Sequence, residues 1–305
     1  MNAWEESIRI AKQRRHPYAV FDMDFTLCEN DTEITTEYVQ VVHHLFWMDA
    51  TTFTNGMRSY YPSGLSVGAK EAIVTYRKIH ESKEDSPAIR QAFRKAMFQV
   101  LREVDTFPGL ENCTFPAFLK AGLRKEEYQI FTELMLRHLL DEPVTSVCDG
   151  ASYPSGLRPN LPLIQALKRL SQEGIATCVV SASYEEDVKA MVRALGLEDM
   201  VSKVCAVKES YDQKGYILPL NGDPDGLLPW KEGKVKVIQR DLVPLFEEEP
   251  SFGFGDSNSD VPMLTSFPSM LFAGISPFAN GDEMLSLASQ ADGVWEKGKT
   301  YYHRF

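Results

Sequence analysis

Four short clusters hold the side chains of this sequence that can do chemistry. Asp22-Met23-Asp24-Phe25-Thr26 sets two carboxylates one residue apart where an apolar run, residues 18–24, ends, and no ordinary structural role requires their mutual repulsion. Such a pair can supply a nucleophile and a proton carrier. Asp22 would attack a phosphorus atom and become an aspartyl phosphate, while Asp24, held protonated by its charged neighbour, would protonate the leaving oxygen. The same acids also read as solvated loop residues or helix caps. In Thr177-Cys178-Val179-Val180-Ser181-Ala182-Ser183, Ser181 offers a hydroxyl to a phosphoryl oxygen, whereas Ser183, just ahead of Glu185-Glu186, fits a helix N-cap.

The third cluster is Gly233-Lys234-Val235-Lys236-Val237-Ile238-Gln239-Arg240. Helical geometry turns Lys234 and Lys236 to nearly opposite faces, so at most one serves a site. Lys234 lies four residues before Ile238 on the apolar stripe, and it is the one expected there. In the fourth, Ser251-Phe252-Gly253-Phe254-Gly255-Asp256-Ser257-Asn258-Ser259-Asp260, a strand ends in Gly-Asp and a second acid follows one helical turn on. Hard oxygen ligands at a strand end suit Mg²⁺; an Asp-rich helix N-terminus is the plainer alternative. Four acids around a phosphate dianion need compensation, which one Mg²⁺, Lys234 and one protonated Asp would supply.

The elements that must position these clusters are legible as changes in period. Residues 18–24 read as a buried strand, and 27–155 as mostly helical, with stretches near 35–48, 68–80, 86–104 and 124–140. After Tyr153-Pro154-Ser155-Gly156 the pattern alternates. Helices are expected at 160–173, 184–195, 234–246 and 258–265, and strands at 175–181, 203–207, 251–255 and 269–273. Short apolar strands alternating with helices mean an α/β fold with a doubly wound, Rossmann-like parallel sheet. Its core would comprise 1–26 and 156–305, with an inserted, mainly α-helical cap at 27–155. Ligands in such sheets bind beyond the carboxyl ends of the strands. Residues 208–233 read as turns, either a flap near the site or a surface excursion.

Composition bounds the partners. The 305 residues carry a formal charge of −11, a field that repels nucleic acids and anionic membranes, so neither is expected as a partner. Five widely spaced cysteines form no zinc-type or paired motif and point to a reducing, cytoplasmic setting. No window is apolar enough for a membrane span. The six histidines show no ligand spacing and read as structural.

The order Asp22-x-Asp24-x-Thr26, strand-terminal Ser181, Lys234, then Gly255-Asp256-x-x-x-Asp260 resembles the haloacid dehalogenase superfamily, in its phosphatase branch. The resemblance covers 18–26 and about 158–276. It implies that Asp22 is the nucleophile and Asp24 the general acid/base, and that Ser181, Lys234 and Thr26 bind the phosphoryl group. It further implies Mg²⁺ held by Asp22, Asp256 and the Asp24 carbonyl, with Asp260 as second ligand or ligand support. The insertion directly after the first motif looks like the helical cap of phosphoserine and phosphocholine phosphatases. There an acid soon after the nucleophile loop meets the substrate's ammonium group, which makes Asp31 and Glu33 specificity candidates; Asn30, Asp31 and Thr32 with Glu33 also read as a helix cap. Phe25 departs from the family, which has a small or polar residue at that place. The expected activity is Mg²⁺-dependent hydrolysis of a small phosphomonoester, with amine-bearing ones among the candidates; a phosphotransferase and a catalytically silent phosphate-binding protein are the alternatives.

Overall fold

The computed structural model describes residues 2–82, 84–107, 111–218, 227–293 and 299–305, with backbone alone at 111–113. The turn expected at 221–224 and the Cys113 side chain lie outside the described residues. Two compact units emerge: Met1–Thr32, Leu157–Lys208 and Asp225–Phe305 form one, Glu33–Gly156 and Glu209–Pro224 the other.

The first unit is the α/β fold read from the sequence. Helix α1 (Ala3–Ala11) leads into β1 (Tyr18–Phe21), and a short strand β2 (Cys28–Glu29) follows. All four residues of β1 are buried, the continuous apolar run of a strand covered on both faces. In the second unit the chain passes through α2 (Thr32–His43, whose first residue still belongs to the α/β unit), α3 (Ala50–Tyr60), α4 (Val67–His80), α5 (Pro87–Val104), α6 (Glu111–Leu119) and α7 (Lys125–Leu139), then a hairpin of β3 (Thr145–Cys148) and β4 (Ala151–Pro154). Back in the first unit come β5 (Arg158–Pro159), α8 (Leu161–Gln172), β6 (Ala176–Tyr184), α9 (Glu185–Ala194) and β7 (Val201–Val207). The chain closes with α10 (Glu232–Val237), a π-helical turn (Ile238–Leu242), α11 (Val243–Phe246), β8 (Phe252–Gly255), α12 (Val261–Thr265), β9 (Phe272–Ile275), α13 (Asp282–Ser289) and β10 (Tyr301–Arg304).

Six strands pair in the order β10-β9-β8-β1-β6-β7, and every pairing is parallel. Because β1 lies between β6 and β8, successive connections leave it in opposite directions, and the crevice at such a switch point is where doubly wound sheets bind ligands. Register aligns the three strand ends: Phe21 pairs with Val179 on one side and Phe254 on the other. The Asp22 N–H carries the β1–β8 ladder one residue further, to the Phe254 carbonyl at 2.9 Å.

Three expectations are corrected. The helix expected over 234–246 is broken by the π turn, because Pro244 in α11 has no N–H to give and its ring crowds the carbonyl of residue 240. The helix expected from 258 starts at Val261, since residues 257–260 close a turn through the Asp260 N–H and the Ser257 carbonyl, 2.9 Å apart. The strand expected at 269–273 is β9, three residues later, after a turn in which the Met270 N–H meets the Phe267 carbonyl.

The second unit is built on aromatic packing. Phe53 stacks on Tyr76 at 4.0 Å between centroids, and Phe93 and Phe118 pack around Phe53. His44 lies in the same cluster, and burial pushes its pKa down to about 4. The returning segment from Glu209 belongs here: the Ile217 N–H donates to the Leu123 carbonyl at 2.9 Å and the Lys125 N–H to Gly215 at 3.0 Å. The hairpin turns on Asp149-Gly150, both at positive φ, the backbone that an Asp-Gly pair accommodates best.

Candidate active site

The loop after β1 is folded back on itself. The Thr26 and Leu27 N–H groups donate to the Met23 carbonyl at 3.3 and 2.8 Å. Phe25 carries φ +54°, a left-handed backbone that costs a side chain with a Cβ about 1–2 kcal/mol. Two side chains from other elements clamp the strained peptide. The Ser276 hydroxyl donates to the Phe25 carbonyl at 2.5 Å, and the Asn160 amide to the Thr26 carbonyl at 2.8 Å.

Around this loop four carboxylates and one ammonium are buried together. Lys234, 1% exposed, donates from Nζ to Asp22 Oδ1 at 2.6 Å and to Asp260 Oδ1 at 2.5 Å. The other Asp260 oxygen accepts from the Asp256 and Ser257 N–H groups at 3.0 and 3.1 Å and from the Ser257 hydroxyl at 3.3 Å. This fold-back needs glycine at 255, where a Cβ would stand 2.5 Å from that of Asp260. Asp256 Oδ1 accepts the Thr26 hydroxyl at 3.3 Å and Oδ2 the Asn280 amide at 3.2 Å. One oxygen each from Asp22, Asp256 and Asp260 lie within 4.8 Å of one another, so the acids separated by more than two hundred residues do converge. The donors are all hard oxygens, with no imidazole or thiolate among them, which fits Mg²⁺ and not zinc.

Asp24 is set apart from that trio. Its Oδ1 accepts both the N–H and the hydroxyl of Thr32, and its Oδ2 the Ser183 hydroxyl at 2.6 Å. A hydroxyl can donate to a carboxylate and, turned about its C–O bond, accept from a carboxylic acid. Ser183 therefore suits either protonation state of Asp24.

Burial is the leading cause of every shift among these acids. It pushes Asp22 up to about 7, with the Asp260 charge adding and Lys234 opposing. Asp256 lies well above the carboxylate range through burial and then the charges of Asp260 and Asp22. Asp24 is raised by burial against the pull of its Ser183 and Thr32 hydrogen bonds, so desolvation, more than the charged neighbour expected from the sequence, favours its proton. Burial opposes the charge on Lys234, yet Asp22 and Asp260 outweigh it and hold its pKa above the usual lysine range.

The structure thus gathers Asp22, Asp24, Thr26, Ser181, Lys234, Asp256 and Asp260 about the ends of β1, β6 and β8. Thr26, expected to bind the phosphoryl group, is wholly buried with its hydroxyl on Asp256 at 3.3 Å. Asp260, expected as second ligand or ligand support, accepts four donors that link it to Lys234 and to the Asp256 and Ser257 backbone, while one of its oxygens stays grouped with those of Asp22 and Asp256. Ser183, expected as a helix cap, instead holds Asp24, and the N-cap position of α9 falls to Tyr184. The Ser181 oxygen accepts the Ser183 N–H at 3.1 Å, which leaves its own proton for another acceptor. Of the specificity candidates, Asp31 places its charge near the buried Cys28 thiol and Glu33 opens the helical unit, 6% exposed. The sequence reading missed Thr32, Asn160, Ser276 and Asn280. Period two along β6 was a signal for Ser183, two residues from Ser181; the others carry none.

Comparison with known proteins follows the same lines. The family model described as haloacid dehalogenase-like hydrolase matches residues 88–265, more than half of the 305 residues. A conserved protein of unknown function from Anaerococcus prevotii is similar in structure with a TM-score of 0.79 at 20% identity, over 98% of this chain and 90% of its own. One from Bordetella pertussis, also of unknown function, gives 0.56 at 15% identity, over 95% and 99%. Both likenesses are of fold. No curated protein matches the chain.

The shifted acids make a cation's effect on stability depend on pH. With Asp22 near 7 and Asp24 and Asp256 raised, the cation-free fold keeps protons that the unfolded chain loses near pH 4. Stability from these groups is therefore full at low pH and is lost as pH rises towards about 7. A divalent cation displaces those protons, so the rise in Tm on adding Mg²⁺ is expected to grow between pH 5 and pH 8. Thermal melts with Mg²⁺ and with chelator at each pH measure it, and a rise independent of pH contradicts the assignment.

Proposed function

We propose that this chain, which belongs to the haloacid dehalogenase-like hydrolase family, hydrolyses small phosphomonoesters with Mg²⁺ through a phosphorylated Asp22. The observation that carries the reading is the buried convergence of Asp22, Asp256 and Asp260 on one point, with Lys234 between two of them. Asp22 and Asp256, with the Asp24 carbonyl, are the groups that would hold Mg²⁺. Bound there, the ion supplies charge neutralisation and orientation of the phosphoryl group.

The chain's own residues divide the remaining work. Lys234 fixes the Asp22 rotamer and keeps a positive charge beside it, so the carboxylate is presented ionised once the competing charges are balanced. One Asp22 oxygen attacks phosphorus in line as the bond to the leaving oxygen breaks, and the Asp24 proton passes to that oxygen. Water then attacks the phosphorus of the aspartyl phosphate, giving its proton to Asp24, and Asp22 is released with inorganic phosphate. Ser181 donates to a phosphoryl oxygen in both displacements. Proton transfer by a positioned acid contributes about 10²–10⁴-fold; most of the remainder is positioning and preorganised charge. The separate unit that begins at Glu33 supports reading an inserted helical cap after the first motif, and the acids Asp31 and Glu33 favour an ammonium-bearing leaving group. The protein's charge of −11 disfavours polyanionic partners, and no helix among the described residues is long and apolar enough to cross a membrane.

Asp22→Asn keeps the shape of the side chain and its contact with Lys234 but removes the nucleophile. Turnover of an aryl phosphate in Mg²⁺ is expected to fall on the order of 10⁴-fold or more with the melting transition still cooperative, and near wild-type turnover overturns the proposal. Selectivity is tested with a panel at equal concentration: kcat/KM for phosphocholine, phosphoethanolamine and phosphoserine is expected to exceed that for sugar phosphates. Preference for the sugars removes the amine from the reading and leaves the hydrolysis.

A further inference from the structure

Away from the carboxylates, the α/β unit contains a cavity of about 540 Å³ that shares no residue with the site above. Its wall is the face of the edge strand and its neighbour. Tyr301, His303 and Phe305 follow at period two from β10 and so share one face, and Phe272 of β9 pairs with Tyr301. The rings pack on one another, His303 against Phe305 at 4.8 Å and Phe272 against Tyr301 at 5.8 Å between centroids. Trp4 closes the inner end, edge-on to Phe272 at 4.9 Å.

The helix opposite does not fill the space. Helix α8 turns Pro162, Gln165, Ala166 and Arg169 towards the aromatic wall, a small and polar row where a helix covering a sheet ordinarily brings large aliphatic side chains. The guanidinium at the mouth is already paired, Arg169 with Glu173 at 2.8 Å and Glu5 at 3.7 Å, and the His303 ring meets Asp292 at 2.5 Å. No free guanidinium therefore selects an anion. What remains is an aromatic floor with the Gln165 amide at the rim, the Asn2 oxygen being taken by the Trp4 and Glu5 N–H groups at the start of α1. The volume is that of a small-molecule pocket, roughly 300–1,000 Å³.

We propose that this cavity binds a neutral, planar heteroaromatic molecule of nucleoside size, seated on the half-buried rings of Tyr301, His303 and Phe305 and read at its edge by the Gln165 amide. Ring stacking supplies most of the attraction, and an amide matches the paired donor and acceptor of a base edge. The inference is independent of the proposed hydrolysis.

Adenosine is the probe, since it has no phosphate to be hydrolysed. Calorimetric titration of the full chain is expected to show saturable binding at one site below millimolar concentration. Binding is expected to persist in Asp22→Asn and to weaken at least tenfold in Gln165→Trp, a change at an exposed helix position that puts an indole across the mouth; circular dichroism checks that this variant is folded. Absence of saturable binding by the wild type to adenosine, and to guanosine and cytidine in the same titration, overturns the proposal. So does adenosine binding that Gln165→Trp leaves unchanged, which would place the nucleoside elsewhere, in the hydrolytic site included.

Discussion

The structure depends on one buried ammonium. Lys234 sits between Asp22 and Asp260, and without it the unit would enclose four carboxylates with no positive charge among them. Removing one partner of such a buried set costs about 3–5 kcal/mol, a large share of what a domain has. The lysine also ties three distant pieces of chain together: the end of β1, the start of α10 and the turn after β8. Asp22 and Asp256 keep raised pKa values even so, through burial first and the neighbouring acid charges next, and a bound cation would offset both. Stability and chemistry thus make the same demand on this place.

The rest of the α/β unit follows from holding that centre still. Parallel pairing on both sides of β1 brings the strand ends into register, and the loop beyond is bent through a left-handed Phe25, with Ser276 on the Phe25 carbonyl and Asn160 on that of Thr26. Gly255 lets Asp260 fold back against the strand end. Strain in a loop of this kind persists only where its surroundings over-determine it, and here each clamp comes from a different element. A second layer of hydroxyls and amides, Thr26 and Asn280 on Asp256 and Thr32 and Ser183 on Asp24, fixes the acids without competing for their charge.

Much of this was legible in the sequence because strands that end in carboxylates are rare and the four clusters fell in order along an alternating pattern. The parallel sheet was found from those alternations, and the acids from their spacing. What escaped has physical reasons. Strand β10 and helix α13 follow weakly patterned segments, and β10 earns its place by pairing with β9, a contact no local window contains. The β3–β4 hairpin carried a signal in Asp149-Gly150 that the helical character of its surroundings obscured. Pro244 broke an apolar stripe that otherwise read as one helix. The braces Asn160, Ser276 and Asn280 were invisible because a single polar residue acquires a partner only through the fold. Phe25 was recognised as a departure, though its backbone conformation could not be read from its type.

The central claim is that the carboxylates after β1 and β8 share one divalent cation. Anomalous diffraction from crystals of the protein soaked in Mn²⁺, a scatterer that accepts the same hard oxygen donors as Mg²⁺, addresses it directly. The account predicts a single strong peak bonded to both Asp22 and Asp256 at about 2.0–2.3 Å, with Asp260 still on Lys234. A peak bound elsewhere, or none between those two acids in crystals that take up manganese, would contradict it.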